Sequence, residues 1–269
     1  MNSVEKKMQS ILIGLKNDYG VVSVKAEFEA EGTRMDELLR LVDIARGAGL
    51  GITVKVGGCE AIRDLLEAKQ IGVRAIVAPM VESGYAASKF VAAKNLVFHG
   101  EEHEDVKFLA NLETALALSN LNDIGEAIES DEGLDGLVFG RVDFVGSKGL
   151  ERGSVNSKQV LDSVVEVAEY LRSKNKELVV GGGVSKDSLE FLRHVKQVHM
   201  TRFETRKVVF SSEALSTSGI EKGLLDAVHF ELLWLLNKKE YYGGIHREDD
   251  KRIEMLEDRW KVLETTKHK

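Results

Sequence analysis

Two carboxylates lie thirty positions apart in the chain, and each comes shortly after an apolar run. Glu113 follows the run at residues 106–112, and Asp143 follows the run at residues 134–139. Each is followed by a segment of helical character. If the two runs are neighbouring strands of a parallel barrel, both carboxylates emerge at the same end of it. Such a pair of oxygen ligands suits one hard divalent cation.

The elements around these carboxylates alternate between apolar strand-like runs and segments of helical periodicity. Runs rich in Val, Ile and Leu are typical of parallel strands that are covered on both faces. The predicted strands are residues 21–28, 52–56, 73–81, 106–112, 134–139, 178–180 and 197–203, and the helices are residues 33–47, 60–69, 83–93, 114–128, 157–174, 186–196 and 223–239. These seven units predict an α/β fold, a (β/α)8 TIM barrel. A doubly wound open sheet is the alternative.

An eighth strand is missing from this pattern. Residues 10–14 are a candidate for a short, atypical first strand; otherwise residues 1–19 form one helix and the barrel is incomplete. We assign residues 1–240 to the barrel domain and residues 241–269 to a C-terminal helical extension. Gly243-Gly244 resembles a hinge before a charged helix at residues 248–263, which is a candidate surface for forming oligomers.

Composition limits the classes of function. The 269 residues are 43% hydrophobic and carry a net charge of −7, and no long basic run indicates a nucleic-acid partner. A single cysteine, Cys59, excludes an internal disulfide framework. The sequence has neither the apolar stretch of a signal peptide nor a run long enough to cross a bilayer. We therefore expect a soluble cytoplasmic protein without a membrane partner.

Charged residues collect where the predicted strands end, which is where a TIM barrel carries its active site. The first strand ends with Glu27, Glu29 and Glu31, which share one face because side chains alternate along a strand. Like charges this close are costly without cations nearby, so the cluster is either functional or salt-bridged. Lys55 ends the second strand. It either pairs with Glu27 or Glu29 or faces a substrate.

Three stretches resemble segments of the HpcH/HpaI aldolase and citrate lyase β-subunit family. They are AIVAPMVESGYAASKFV at residues 75–91, NLET at residues 111–114 and FGRVDFVGSKG at residues 139–149. The similarity covers roughly residues 20 to 210, with the motifs in the family's order. Members of this family are metal-dependent barrels that act on 2-keto acids or acyl-CoA thioesters.

The resemblance implies a role for each matched residue. Glu113 and Asp143 are expected to bind Mg²⁺ or Mn²⁺, which would act as a Lewis acid on the enolate of a pyruvate-like group. Asn111 and the loop at Gly140 are expected to orient the keto-acid end, and the backbone N–H groups of Val142 and Asp143 to hold its carboxylate. Lys55 and Arg141 are expected to place the substrate's negative charge.

The chain also departs from the family pattern at two positions. Lys55 stands where the family usually has an arginine, so the bidentate fork that matches a carboxylate is absent. Ala30 stands where the aldolases carry a catalytic histidine. We therefore expect Glu27 or Glu29 to transfer the proton, since both match acidic positions of the family.

These observations predict a divalent-metal-dependent carbon–carbon lyase or aldolase that acts on a keto acid, a sugar acid or an acyl-CoA, and works as a homo-oligomer. Two alternatives from other classes stay open. One is a phosphate-binding isomerase or epimerase whose anchor is the glycine run at residues 181–183. The other is a barrel that has lost catalysis and serves as a binding protein.

Overall fold

The structure, a computed structural model, describes residues 1–100, 102–130 and 132–267. Within these residues eight strands follow one another around a closed barrel. The strands are β1 (Val21–Glu27), β2 (Gly51–Lys55), β3 (Ala75–Ala78), β4 (Lys107–Leu112), β5 (Gly136–Gly140), β6 (Glu177–Gly181), β7 (Arg202–Glu204) and β8 (Val208–Ser211). The predicted TIM-barrel fold is confirmed, and the open-sheet alternative is wrong because the barrel closes.

The helices surround the barrel in the expected order. They are α1 (Ser3–Tyr19), α2 (Met35–Gly47), α3 (Ile62–Ile71), α4 (Gly84–Val97), α5 (Glu102–Asp105), α6 (Ala115–Ser119), α7 (Leu121–Glu129), α8 (Arg141–Ser147), α9 (Lys158–Ser173), α10 (Leu189–Val198) and α11 (Ile220–Lys267). The predicted helix at residues 114–128 is two short helices that meet at Asn120. No described helix combines the length and the apolar character that crossing a bilayer requires.

The eighth strand lies at the other end of the sequence from where we expected it. Residues 10–14 belong to α1, so the atypical first strand is wrong, and so is the incomplete barrel. Instead β8 follows β7 through the short turn at residues 205–207 and pairs antiparallel with both β7 and β1. A search for strand–helix units passes over it because no helix separates β7 from β8.

The interior of the barrel changes from polar to apolar and back to polar along its axis. Ser23 and Thr53 share a hydrogen bond of 2.8 Å between their hydroxyl groups. A compact apolar layer fills the middle of the barrel and is made of Val77, Leu109, Val138 and Val179. The charged side chains at the carboxyl ends of the strands lie beyond this layer, which therefore forms the floor of the pocket described below.

Helix α11 runs antiparallel to α1 and reaches past the barrel. A Cβ on Gly223, near its start, would lie 2.7 Å from the Tyr19 ring, whereas Asn237 accepts a hydrogen bond of 2.8 Å from Asn2. The helix therefore begins at the amino ends of the parallel strands and rises to their carboxyl ends. The hinge expected at Gly243-Gly244 is wrong, because α11 continues through it across the boundary at residue 240. Residues 244–261 are all exposed, and residues 268–269 of the expected extension lie outside the described residues.

Candidate active site

A cavity of about 460 Å³ opens at the carboxyl ends of the parallel strands. It brings together eight of the nine predicted site residues, namely Glu27, Glu29, Lys55, Asn111, Glu113, Gly140, Val142 and Asp143. The parallel register places the ends of β1, β2, β4 and β5 at one rim. Arg141 is the predicted residue that does not line the cavity.

Glu113 is the most enclosed carboxylate of the cavity, with only 2% of the residue exposed. Its Oε1 accepts a hydrogen bond of 3.0 Å from the Met80 backbone N–H, and its Oε2 accepts one of 2.7 Å from Asn111 Nδ2. The Asn111 Oδ1 is buried and has no hydrogen-bond partner among the described residues. An acceptor left unpaired in a buried site is costly unless a ligand or water occupies it.

The backbone around Glu113 is shaped to leave room for its carboxylate. Met80 follows the single proline, Pro79, and has a positive φ of 48°, which is unusual for a residue with a side chain. On the opposite side, a Cβ at Gly140 would come within 2.7 Å of Glu113 Oε2. Glycine at position 140 is therefore required by the close approach of the carboxylate.

Asp143 is the second predicted metal ligand and lies in the first turn of α8, where its side chain is exposed at the cavity. Burial raises the pKa of Glu113, and the nearby Asp143 carboxylate adds to that rise. Lys55 and the hydrogen bonds from Met80 and Asn111 oppose it. The pKa rises on balance because the effect of burial outweighs that of Lys55 and the two hydrogen bonds.

Lys55 connects two carboxylates of the cavity. Its ammonium Nζ lies 3.1 Å from Glu29 Oε2 and 3.5 Å from Glu113 Oε1. Burial alone would lower the pKa of Lys55, but Glu113 and Glu29 outweigh burial and raise it. Lys55 therefore keeps its positive charge at neutral pH, which disfavours a role as a Schiff-base nucleophile, since that reaction needs the free amine.

The other carboxylates at the end of β1 and in the loop after it, Glu27 and Glu31, are also paired with cations. Glu27 pairs with Lys25 at 3.4 Å, and Lys25 in turn pairs with Glu204 on β7. Glu31 pairs with both Arg206 and Lys207. Lys25 shares the inward face of β1 with Glu27 by the alternation of a strand, and that pattern was the signal available in the sequence.

Arg141 was expected to place substrate charge, and the structure assigns its side chain elsewhere. The residue is fully buried, and its guanidinium donates to Asn156 Oδ1 at 2.7 Å and to the Gly181 carbonyl at 3.1 Å. It also lies over the Phe191 ring, with its carbon 4.7 Å from the ring centroid. Because these contacts use the N–H groups of the guanidinium, Arg141 links the segment after β5 to the end of β6. Burial lowers its pKa to about 10.

The glycine run after β6 is explained by close packing. Gly182 and Gly183 have positive φ values of 81° and 67°. A Cβ on Gly182 would lie 2.6 Å from the Val142 nitrogen, so this turn packs directly on the first turn of α8. These glycines are needed whether or not a phosphate binds, so their presence does not favour the phosphate hypothesis.

The charges that line the cavity do not balance. Its carboxylates are Glu27, Glu29, Glu113, Asp143, Glu204 and Glu231, and its cations are Lys25, Lys55, Arg152 and Arg206. Six negative groups against four positive ones leave an excess of two negative charges. Of these residues, Lys25, Arg152 and Glu231 were missed by the sequence analysis because they lie inside a strand, on a loop and on α11, away from the ends of the predicted strands.

These residues fit a divalent cation. The carboxylates of the cavity outnumber its cations, and the buried Glu113, the adjacent Asp143 and the unpaired Asn111 oxygen supply oxygen donors. The described residues contain no group of three or more His, Cys, Asp or Glu side chains that could enclose a metal ion. Mg²⁺ commonly uses one or two carboxylates and completes its shell with water and substrate oxygens, so a pair of carboxylates is sufficient.

Comparisons with known proteins agree with this architecture. A sequence model of the HpcH/HpaI aldolase/citrate lyase family matches residues 22–209. No curated protein sequence matches the chain at a significant level.

Solved structures share the fold at low sequence identity. An HpcH/HpaI aldolase from Desulfitobacterium hafniense DCB-2 is 13% identical with a TM-score of 0.59, covering 74% of this chain and 82% of its own. An HpcH/HpaI aldolase/citrate lyase family protein from Burkholderia cenocepacia J2315 is 15% identical with a TM-score of 0.56, covering 89% and 99%. A variant of the citrate synthase SbnG is 17% identical with a TM-score of 0.57, covering 88% and 90%.

Proposed function

The chain belongs to the HpcH/HpaI aldolase/citrate lyase family, whose members are lyase-type enzymes, and on that premise we propose that it is a divalent-metal-dependent carbon–carbon lyase. The proposed substrate is a pyruvate-like 2-keto acid or a related acyl-CoA that reacts through its enolate. The observation that carries the proposal is the buried carboxylate of Glu113, which lines the cavity together with Asp143 and beside the buried, unpaired Asn111 oxygen.

Glu113 and Asp143 would hold Mg²⁺ or Mn²⁺, with the Asn111 oxygen close by. When bound, the ion supplies Lewis-acid polarisation of the substrate's keto oxygen and carboxylate. The first N–H groups of a helix have no partner within that helix. Those of Val142 and Asp143, in the first turn of α8, can therefore donate hydrogen bonds to the substrate carboxylate.

Lys55 is proposed to stabilise negative charge that develops on the substrate. Its ammonium is fixed between Glu29 and Glu113 and stays protonated, so it presents a preorganised positive charge inside the cavity. Arg152 lies exposed at the edge of the cavity and is available to attract the anionic substrate. We had expected this role of Arg141.

Glu29 is the better of the two candidates for proton transfer. The Glu27 side chain pairs with Lys25 and is 10% exposed, whereas the Glu29 side chain is 29% exposed and contacts the same ammonium as Glu113. A carboxylate that touches Lys55 is placed to exchange a proton with a substrate atom near Glu113, directly or through one water. Ala30, in place of the histidine of the aldolases, also lines the cavity, and none of the described residues that line it is a histidine.

The test is deuterium exchange of the pyruvate methyl protons, followed by NMR in the presence of Mg²⁺, Mn²⁺ or EDTA. The wild-type protein should exchange with either metal and stop with EDTA, and Glu113→Ala should not exchange at all. Glu60→Ala is the matched control, because Glu60 is an exposed carboxylate that pairs with Lys89 outside the cavity and should leave exchange unchanged.

Absence of exchange by the wild-type protein with every metal would overturn the keto-acid proposal. The same experiment with the methyl protons of acetyl-CoA then distinguishes acyl-CoA chemistry from a barrel without catalysis. Exchange that persists in EDTA and in Glu113→Ala would contradict the metal site.

A further inference from the structure

Helix α11 carries an apolar stripe that is left exposed by the part of the chain that the structure describes. The stripe has two blocks, Leu225, Val228, Leu232 and Leu235 in the first and Ile253, Leu256 and Trp260 in the second, and each of these residues is at least 50% exposed. The residues that attach α11 to its own barrel lie on another face of the helix and include Leu224, Ala227, Phe230 and Trp234, all of them buried.

The two blocks keep one heptad register. With Leu225 at position a, every member of both blocks falls at a or d. The positions between the blocks are Lys239, Tyr242, His246 and Asp249. Two apolar blocks that keep one heptad register across such an interruption are typical of a helix that packs lengthwise against another helix.

The register is also symmetric about Gly243-Gly244. Leu235 and Ile253 lie equally far from Gly244 in sequence, as do Leu232 and Leu256. When two copies of such a helix run antiparallel, an a position of one faces a d position of the other. The first block of each copy then meets the second block of the other.

We propose that two copies of this chain pair through α11 in an antiparallel coiled coil, with the two-fold axis at Gly243-Gly244. In this pairing Leu235 packs against the partner's Ile253, Leu232 against the partner's Leu256, and Val228 against the partner's Trp260. The occupant of the stripe is a second copy because the stripe is complementary to itself, as a two-fold interface requires.

Charged residues along the stripe support the antiparallel direction. Lys239 faces the partner's Asp249, and Glu231, at a flanking position, faces the partner's Arg259, so both pairs have opposite signs. One flanking pair has like charges, Lys238 with the partner's Arg252. Lys238 is already paired with Glu37 at 3.0 Å, which reduces the repulsion.

Of the two adjacent glycines in α11, Gly243 lies where the dimer brings the two helices together. Glycine inside a helix is unfavourable relative to alanine. Within the chain, a Cβ at Gly243 or Gly244 would meet only the end of the flexible Arg247 side chain, at 3.3 Å and 4.0 Å. The monomer therefore does not need them. In the dimer Gly243, at position e, faces the partner's Gly243 beside the seam, whereas Gly244, at position f, points away from the partner.

The dimer would also complete the wall of the active-site cavity. Val228 and Glu231 line that cavity from α11. The second half of the other copy's helix lies along this face, so the partner's Trp260 comes to the rim. Because each α11 rises past the mouth of its own barrel, the two cavities face each other across the axis.

Disulfide trapping tests the pairing and its direction. In a Cys59→Ser background, which removes the native thiol, Leu235→Cys and Ile253→Cys are prepared separately and mixed before oxidation. A disulfide-linked heterodimer, with little linkage in either variant alone, is the expected result. Linkage of each variant only to itself would indicate a parallel pair, and no linkage at all would indicate no pair; either result overturns the proposal.

Charge exchange tests the register with the full chain. Leu232→Glu or Leu256→Lys alone should weaken the dimer, measured by analytical ultracentrifugation, at least ~100-fold, since symmetry places each charge in two apolar layers. The double variant should recover most of the affinity, whereas Leu225→Glu with Leu256→Lys, one heptad out of register, should not. Leu66→Glu is the control, because Leu66 is 53% exposed on α3. A wild-type monomer at micromolar concentration, or equal recovery by both double variants, would contradict the proposal.

Discussion

The carboxylate of Glu113 occupies space that exists only because position 140 is glycine. A Cβ there would lie 2.7 Å from Oε2 and 2.8 Å from Cβ of Glu113, well inside van der Waals contact. The strand that precedes the second carboxylate, Asp143, therefore determines where the first can sit. The proposed metal site depends on this backbone contact between β4 and β5 as much as on its ligands.

Gly140→Ala should therefore disturb the metal site without disturbing the barrel. The added methyl group displaces the Glu113 side chain, and we expect metal affinity to fall about 10- to 100-fold, as for other changes that reorient a ligand. Mn²⁺ titration followed by electron paramagnetic resonance measures the affinity. Gly146→Ala, also at the α8 end of this segment, is the control, because a Cβ there meets nothing within 4 Å. Equal affinities for the two variants would contradict the assignment of Glu113.

Lys55→Met should change metal binding and turnover in opposite directions. The ammonium 3.5 Å from Glu113 repels an incoming cation, so its removal should tighten Mn²⁺ binding by about tenfold. Turnover or methyl exchange should nevertheless fall at least ~100-fold if Lys55 stabilises charge on the substrate. A variant that loses metal affinity and activity together would instead assign Lys55 a purely structural role.

The buried ion pair of Lys25 and Glu204 should be sensitive to the loss of one partner. Lys25→Met leaves Glu204 and Glu27 without their cation, and we expect the free energy of unfolding to fall by about 3–5 kcal/mol. The double variant Lys25→Met with Glu204→Gln should recover most of that loss, because it buries fewer uncompensated charges. Urea unfolding followed by circular dichroism measures both values; a double variant no more stable than the single one would contradict the pairing.

The same pair predicts how stability depends on pH. Burial alone would lower the pKa of Lys25, but Glu204 and Glu27 outweigh burial and raise it. A raised pKa in the folded state means that this stabilisation is fully present below the pKa of an unfolded lysine, about 10.4, and is lost as the pH rises through the folded-state value. Above pH about 10.4 the wild-type unfolding free energy should fall more steeply than that of the double variant. Parallel slopes would contradict the pKa shift.

Arg141 and Arg152 should separate stability from substrate binding. Arg141→Lys loses the fork that reaches Asn156 and the Gly181 carbonyl, so we expect about 2–4 kcal/mol less stability. Arg152→Ala, at the exposed edge of the cavity, should leave stability unchanged and raise KM for an anionic substrate about tenfold. Thermal unfolding and steady-state kinetics on both variants test this contrast. A raised KM in Arg141→Lys without loss of stability would restore our original expectation for Arg141.

The position of Glu113 and Lys55 at one rim could be predicted from the sequence. Lys55 ends β2 and Glu113 directly follows β4, and both strands have clear apolar runs, so their meeting at one rim follows from the parallel barrel. Arg141 lies one residue past β5, and whether its side chain turns into the cavity or under α8 depends on what fills the space below. Asn156, the Gly181 carbonyl and Phe191 fill it, and they come from three distant segments that no local pattern relates.

Strand β8 and the continuous α11 were missed for different physical reasons. The strand is four residues long and joined to β7 by a turn, so it lacks the helix that marks every other unit. The two glycines in α11 are each unfavourable in an isolated helix, which suggested a hinge, yet the helix on both sides is long enough to continue through them. Local propensity alone does not decide such cases.

The reversal of β8 has a consequence for how the protein can open and close. A barrel of eight parallel strands surrounds its mouth with eight loops, any of which can serve as a mobile lid. Here the eighth sector is bounded by a tight turn and by α11, a continuous helix about 72 Å long at 1.5 Å per residue. This side of the entrance is bounded by rigid elements, so we expect gating movements in the loops after β1 to β6. Val228 and Glu231 line the cavity from α11, so single substitutions there can change specificity without a change in any loop.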